Sequence, residues 1–528
     1  MQLFLTFWAY TFFVAGYSWY KLRKETLTSQ EGYFLGGRSL TGVVIAGSML
    51  LTNISTEHLI GMNGSSYKNG FIIIAWEITS ALALIFTAVY FVPKYLKMGL
   101  TTIPQFLENR FDGFTRSLVA FFLMISFIFT ILPIVLYTGA INLESIFNVS
   151  ELLDVSQDKG MKITIWAIGL IGSLYAIFGG LKAVAVSDTL NGYGLLVGGL
   201  AIPFLALLSI GDGNPMEGLS KVYQNMPEKF NVIGAKDSVM PFEVLFTGLI
   251  INQIYFWCMN QMIIQRALGA KNLKEAQKGL LLTGLLKILV PLIIILPGVI
   301  GFYYYGDLFY DRQDRIYPVL IKKVLPAGFV GIFAAVVMGA VLSTFNSVLN
   351  SAATIFSIDI FKRHINPRVS DNRLVKIGKT TSAVLALFAI TVAPMVANAP
   401  DGLYQLLQQL NGIFFIPIAS IMLAGFFLPK ISALAAKSAL LIGLAFYIGC
   451  TFIFKVDLHF VHIWGIEFVL NMAIMSLISY YIPKEKPFEI KDLQIVEMTG
   501  WRYTKGFSAF LVVATLLIYI LMGNFSTY

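Results

Sequence analysis

Charge is scarce in this chain. Asp, Glu, Lys and Arg make up 13% of its 528 residues, against 57% hydrophobic residues and a mean hydropathy of +0.75. Soluble domains carry about 25% charged residues, so a water-soluble globular protein is excluded and a polytopic membrane protein is implied. Cysteine is nearly absent: Cys258 and Cys450 both lie in apolar stretches, which leaves no basis for a disulfide framework. Histidine numbers four, of which only His58 lies deep in an apolar segment. Neither HExxH nor GxSxG occurs, so the chain does not read as an intramembrane enzyme. The net charge of +9 does not signal nucleic acid. The basic residues are scattered through short connections and form no basic domain.

What is there in abundance is apolar sequence. Fourteen segments stand out, at 3–21, 41–62, 71–93, 117–142, 163–179, 189–210, 242–264, 279–303, 328–358, 378–396, 403–427, 435–453, 459–482 and 506–523. The first is too long and too poor in cleavage-site signals for a signal peptide, and reads as a helix. Connections after odd-numbered segments, with their flanks, carry 26 Lys and Arg, and those after even-numbered segments carry 11. The first set is therefore expected to be cytoplasmic, with both termini outside. A compact chain without long tails suits a bacterial inner membrane.

One cation of the 38 lies in no connection: Lys287, in the middle of segment 8. An ammonium at bilayer depth needs an acceptor, and the mid-membrane carboxylates Glu57 and Glu77 are the candidates. Glu57 belongs to a polar interruption of segment 2, Thr52-Asn53-Ile54-Ser55-Thr56-Glu57-His58. Such a run fits either a polar helix contact or a helix broken in mid-membrane, whose freed carbonyls bind a solute and an ion. Segment 7 repeats the anomaly with Gln253, Asn260 and Gln261. Two interrupted segments, each opening a block of five (segments 2–6 and 7–11), are what an inverted repeat produces. In segment 9, Ser343, Ser347 and Ser351 share one face and Thr344 lies beside it. Hydroxyls with unwound carbonyls are hard neutral ligands suited to a weakly held monovalent cation. Segment 11 gathers Gln405, Gln408, Gln409 and Asn411.

Four stretches, in order and at these separations, make the chain resemble the sodium/solute symporter family, and most closely its sodium/sugar branch. They are Asn53-Ile-Ser-Thr-Glu-His-Leu-Ile-Gly-Met-Asn-Gly64, Gly179-Gly-Leu-Lys-Ala-Val-Ala-Val-Ser-Asp188, Trp257-Cys-Met-Asn-Gln-Met-Ile-Ile-Gln-Arg266 and Asn350-Ser-Ala-Ala-Thr-Ile-Phe-Ser-Ile-Asp359. The resemblance runs from about Gly32 to Lys430. It implies an all-α membrane protein of about 14 transmembrane helices with a LeuT-type 5+5 inverted-repeat core. Repeat one would span 40–212 and repeat two 240–428, with peripheral helices at 1–25 and 430–528. Alternating access then argues against a channel.

The resemblance also implies roles. Sodium would be held by the carbonyls of Leu51, Ile54 and Ala340 and the hydroxyls of Ser343 and Thr344. Substrate would be held by His58, Glu77, Ser80, Gln253, Lys287 and Gln408, and covered by Met62, Trp76, Phe256 and Tyr404. Some relatives bind a second sodium near an aspartate matching Asp188, with hydroxyl helpers that fall here on Asn346 and Ser347. Departures from the bacterial sugar pattern are His58 for glutamine, Gln253 for asparagine and Phe256 for tyrosine. Carboxylate, ammonium and amides together suit the hydroxyls of a neutral sugar such as galactose or glucose. A sugar acid, a polyol or an organic anion is the alternative. The expected partners are sodium, a small solute and the lipid bilayer, with no obligatory protein partner.

Overall fold

The structure, a computed structural model, describes residues 1–23, 28–398, 403–484 and 488–527. Among them every regular element is a helix, and the only β pairing is two isolated bridges. This follows from the solvent: a backbone in hydrocarbon must satisfy its polar groups within the segment. In chain order the long elements are α1 (Gln2–Leu22), α2 (Gly42–Asn53), α3 (Glu57–Lys97), α4 (Gly113–Phe147), α5 (Gln157–Ile210), α6 (Gly248–Met259) and α7 (Gln261–Leu268). They continue with α8 (Leu273–Tyr305), α9 (Ala327–Ile365), α10 (Asp371–Ala397), α11 (Leu403–Phe427), α12 (Ala433–Ile453), α13 (Phe460–Tyr481) and α14 (Thr504–Met522). Short polar caps start several of them. Asp112 accepts from the Thr115 amide at 2.8 Å, Asn260 from Met262 at 3.0 Å and Asn272 from Glu275 at 2.9 Å.

Ten of the described helices are long and apolar enough to cross a membrane, which makes this a multi-pass membrane protein. The fourteen apolar segments do not map one to one onto spans, for visible reasons. Segments 2 and 7 are cut at their polar interruptions, leaving the short apolar helices α2 and α6. Segment 5 ends at a kink inside α5, and α1 is diluted by Tyr, Trp and Thr. The kink sits at Gly180, with φ +59° and ψ −169°, a region open essentially to glycine. A Cβ there would meet the Tyr33 carbonyl oxygen at 2.8 Å. Gly180→Ala is therefore expected to cost about 1–3 kcal/mol, read as a lower melting midpoint in detergent. An unchanged midpoint would mean that the kink is not constrained.

The bundle is graded from inside to outside. In α9 and α11, 78% and 72% of the spanning window is buried, against 11% in α14. The broken helix α2 lies innermost, packed against α5, α8 and α9. Connections of like parity meet one another. Arg38 donates to the carbonyls of Leu268 and Gly99, Arg116 pairs with Asp359 at 2.6 Å, and Lys437 with Asp112 at 2.8 Å. Glu108 joins Arg116 and Arg363 on the same face. Burial raises its carboxyl, but these two guanidinium groups outweigh that and hold it below the ordinary carboxylate range. On the opposite face Lys229 donates to the Lys68 carbonyl at 2.7 Å and Lys322 to Asn148 at 3.2 Å.

Candidate functional site

The site is built on the end of α2. Ile54 leaves the helical region at φ −84°, ψ 84°. The Ser55 amide turns to the Asn53 carbonyl at 3.1 Å, and the His58 amide to Ser55 at 3.1 Å. The carbonyls of Leu51 and Ile54 thereby lose the amides that a continuous helix would bring to them. The chain resumes at Glu57 in a turn with π-helical bonding. A second break, at Asn260 (φ −68°, ψ 119°), separates α6 from α7.

Across the first break lies α8, and from it comes Lys287. Its ammonium donates to the Glu77 carboxylate, in a short contact, and to Asn53 Oδ1 at 2.5 Å. Both charged side chains are 1% exposed. Of the two carboxylates expected to receive it, Glu77 does and Glu57 does not. Glu57 instead faces the ring of His58, its Oε1 3.6 Å from Nδ1, while His58 Nε2 is 3.7 Å from Glu77 Oε1. An ammonium with a carboxylate and an amide oxygen offsets much of the cost of burial, whereas removing one partner of such a pair costs about 3–5 kcal/mol.

These groups face a central cavity of about 50 Å³. His58, Trp76, Glu77, Gln253, Phe256, Lys287, Thr344, Tyr404 and Gln408, all expected at the site, line it. Gln253 donates to the Trp76 carbonyl at 2.7 Å and to Thr79 at 2.9 Å, and accepts from Trp257 at 3.1 Å. Its amide is thus held by the wall. Gln408 donates to the Tyr404 hydroxyl at 2.9 Å, and the Tyr404 ring meets His58 and Trp76 edge-on at 5.2 and 5.8 Å. These rings form one side of the cavity as a single aromatic layer.

Two expected residues are not brought to the cavity wall. Ser80 turns its hydroxyl back to the Glu77 carbonyl, three residues earlier. Met62 is fully buried in the core and is not among the residues that line the cavity.

The expected sodium ligands gather where α9 crosses the end of α2. Thr344 Oγ1 donates to the Thr52 carbonyl at 2.8 Å, and Ser343 Oγ lies 3.3 Å from Thr52 Oγ1. Leu51, Ile54 and Ala340 are fully buried beside them. The positions suggested for a second ion are differently engaged. Arg266, counted in the sequence among connection charges, is 0% exposed. It donates to Ser347 in a short contact and to Ser48 at 2.9 Å, and lies 3.6 Å from Asp188. Ser48 in turn donates to Asp188 at 2.7 Å. A guanidinium therefore supplies the positive charge beside Asp188.

Sequence reasoning gave no site role to three asparagines on the wall. Asn53 accepts from Lys287, while Asn252 Oδ1 and Asn411 Oδ1 are buried on the cavity wall without a partner. The signal for Asn53 was its place as the last helical residue before the break. Asn252 neighbours the conspicuous Gln253, and Asn411 stands in the amide-rich run of segment 11. The buried Arg266 left no such mark, because the counted charge lay just past the end of an apolar segment.

A model of the sodium:solute symporter family matches residues 33–443. The uncharacterized symporter YidK of Escherichia coli (strain K12) is 44% identical over 524 residues, covering 99% of this chain and 91% of its own length. The sodium/glucose cotransporter of Vibrio parahaemolyticus is 33% identical over 435 residues, 78% of each chain. Among solved structures, a Na+-coupled sialic acid symporter in a substrate-bound outward-open state aligns with a TM-score of 0.78, covering 93% of this chain and 99% of that one. Its identity of 19% makes this a likeness of fold. With broken helices around a buried ion pair, and a family match over most of its length, the chain belongs to the sodium:solute symporter family.

Proposed function

We propose that this symporter couples the entry of one sodium ion to import of a small neutral polyhydroxylated solute, a hexose such as galactose or glucose, by alternating access. The observation that carries this reading is Lys287 held between Glu77 and Asn53 at the break in α2. The paired charges largely cancel, so the cavity offers donors and acceptors without a net field that demands an ionic solute. Trp76, Phe256 and Tyr404 supply faces for the apolar side of a pyranose ring.

The ion would sit at the carbonyls of Leu51, Ile54 and Ala340 with the hydroxyls of Ser343 and Thr344. Asp188 and Ser347 are engaged by Arg266, which supports a single ion. The two breaks support a repeat of five segments over 40–212 related to one over 240–428, flanked by peripheral helices at 1–25 and 430–528. The connections with the excess of Lys and Arg face the cytoplasm of a bacterial inner membrane in this reading, with both termini outside.

The central cavity is smaller than the roughly 300–1,000 Å³ of ligand pockets. Admitting a hexose therefore requires the aromatic layer and the surrounding helices to part, which is the motion that alternating access supplies.

A thermal-shift screen of galactose, glucose, a polyol, a sugar acid and an organic anion, each with sodium or potassium, tests the assignment. A ligand that binds only the folded chain raises the midpoint, by about 2.7 kcal/mol of stabilisation at a hundred times its dissociation constant. A hexose is expected to raise it in sodium and much less in potassium. Stabilisation by the acid or the anion alone would replace the solute, and no sodium dependence would remove the coupled ion.

A further inference from the structure

Another carboxylate lies inside the membrane bundle, away from the central cavity. Glu467, in the interior of the spanning helix α13, is 0% exposed, and neither of its oxygens has a hydrogen-bond partner among the described residues. Its surroundings supply no cation. α13 packs against α12, α11 and α6, whose one Lys or Arg is Lys437 of α12, already paired with Asp112. The histidines at the start of α13 are engaged elsewhere, His459 by the Val239 carbonyl at 3.1 Å and His462 by Thr247 at 3.1 Å. Tyr447 of α12, within electrostatic reach of Glu467, donates its hydroxyl to the Gln409 carbonyl at 3.0 Å. The other titratable groups on the packed helices, Cys450, Tyr404, Tyr255 and Cys258, are not cations, and on α3 the carboxylate of Glu77 is held by Lys287. One turn beyond Glu467, Asn471 donates to Ser420 at 3.3 Å and keeps its Oδ1 without a donor. An ionised carboxylate in this setting is costly. One proton on Glu467 removes the charge and supplies the donor that the amide oxygen lacks.

Glu467 stands behind two walls of the central cavity. α11 turns Tyr404 and Gln408 to the cavity, α6 turns Gln253 and Phe256 to it, and both pack against α13. There is no slack at these contacts. A Cβ on Gly412 of α11 would meet Trp464 Nε1 at 2.0 Å, and one on Gly248 of α6 would meet the Val461 carbonyl oxygen at 2.0 Å. A Cβ on Gly443 of α12 would meet Asn471 Oδ1 at 2.4 Å. Trp464, one turn before Glu467, also meets Trp76 edge-on at 6.3 Å and so adjoins the aromatic layer. The cavity must widen to admit a hexose, and helices already in such contact can only slide or loosen. Loosening admits water to Glu467 and offsets the cost of its charge.

We infer that Glu467 is a proton-binding site, whose proton is held while these helices are packed and released as the cavity widens around solute. The inference rests on the neutral-solute reading of the central site. Solute binding and proton release are then linked, so each favours the other.

Measurements on the purified full chain test it. The infrared spectrum of the solute-free chain is expected to contain the carbonyl band of a buried protonated carboxyl that Glu467→Gln lacks. Glu467→Gln keeps the shape without the charge. Its melting midpoint is expected to exceed that of the unaltered chain by a margin that widens with pH, because the unfolded chain gives up the proton that the folded chain keeps. In equilibrium binding of radiolabelled galactose and glucose at saturating sodium, affinity is expected to rise with pH, by up to about tenfold per unit for one proton released. That rise should be lost in Glu467→Gln and in Glu467→Met, a second neutral variant. Absence of the carboxyl band, or a margin between midpoints that does not change with pH, overturns the proton site. The same pH dependence of hexose affinity in all three chains overturns the linkage. An unaltered chain that binds neither hexose overturns the central reading instead, while the band and the midpoints still decide the proton site.

Discussion

Replacing Lys287 with alanine is expected to weaken solute binding by a factor of about 10² to 10³. The ammonium is the only partner given to Glu77 Oε2 by the described side chains, and both groups lie 1% exposed inside the membrane bundle. Without it the carboxylate faces the cavity unpaired, and Asn53 Oδ1 loses its donor as well. A carboxylate in that position must be neutralised or hydrated, and either change alters the donor and acceptor pattern that a solute meets. Glu77→Gln makes the converse change at nearly constant shape and is expected to act as strongly, because it strands the ammonium. Lys287→Arg should not rescue binding, since a planar fork does not reproduce a compact point charge between a carboxylate and an amide. The measurement is equilibrium binding at saturating sodium, with the melting midpoint as a control for folding. Affinity like that of the unaltered chain in both Lys287→Ala and Glu77→Gln would make the pair structural and place the solute elsewhere.

The second large effect concerns the ion. Thr344→Ala is expected to raise the sodium concentration for half-maximal uptake by about 5- to 100-fold, the range that corresponds to losing a buried polar contact of ~1–3 kcal/mol. The threonine hydroxyl ties α9 to the Thr52 carbonyl at 2.8 Å, and its oxygen lone pairs remain available to a cation while it does so. Ser343→Ala should act in the same direction, and Thr344→Ser, which keeps the oxygen, should largely restore the original dependence. The apparent affinity for solute at saturating sodium should move much less. An unchanged sodium dependence in both alanine variants would move the ion site away from this crossing.

Much of this arrangement was legible in the sequence because the bilayer makes polar residues conspicuous. Lys287 could be singled out as the only cation outside the connections and their flanks, with Glu57 and Glu77 as its two candidate acceptors, before any geometry was known. The breaks after Asn53 and before Gln261 were marked by polar residues where a spanning helix has no reason to carry them. What the sequence could not provide was register. Met62 is buried away from the cavity wall, and the hydroxyl of Ser80 is drawn back to its own helix. Nor could hydropathy distinguish a charge in a connection from one folded back into the protein. Arg266 lies only two residues beyond an apolar segment, yet its guanidinium reaches Ser48, Ser347 and Asp188. The division into spans was blurred for a related reason. A chain that breaks inside the membrane, as at Ile54, or runs helical through a connection with only a kink, as at Gly180, no longer matches a count of apolar runs.

The most direct test of coupled transport is the voltage of zero net flux in proteoliposomes holding the purified chain, with opposing gradients of sodium and hexose. One sodium moving inward across about 100 mV, inside negative, contributes roughly 2.3 kcal/mol. A tenfold sodium gradient adds about 1.4 kcal/mol, enough together to concentrate a neutral solute on the order of 500-fold. With one ion per solute, a tenfold change in the hexose gradient should shift the zero-flux voltage by about 59 mV. With two ions the shift falls to about 30 mV, which would require Asp188 to hold an ion in spite of Arg266. One-ion symport predicts the larger shift, together with a zero-flux voltage that moves with sodium. A zero-flux voltage indifferent to sodium, or concentrative uptake driven by potassium alone, would contradict it.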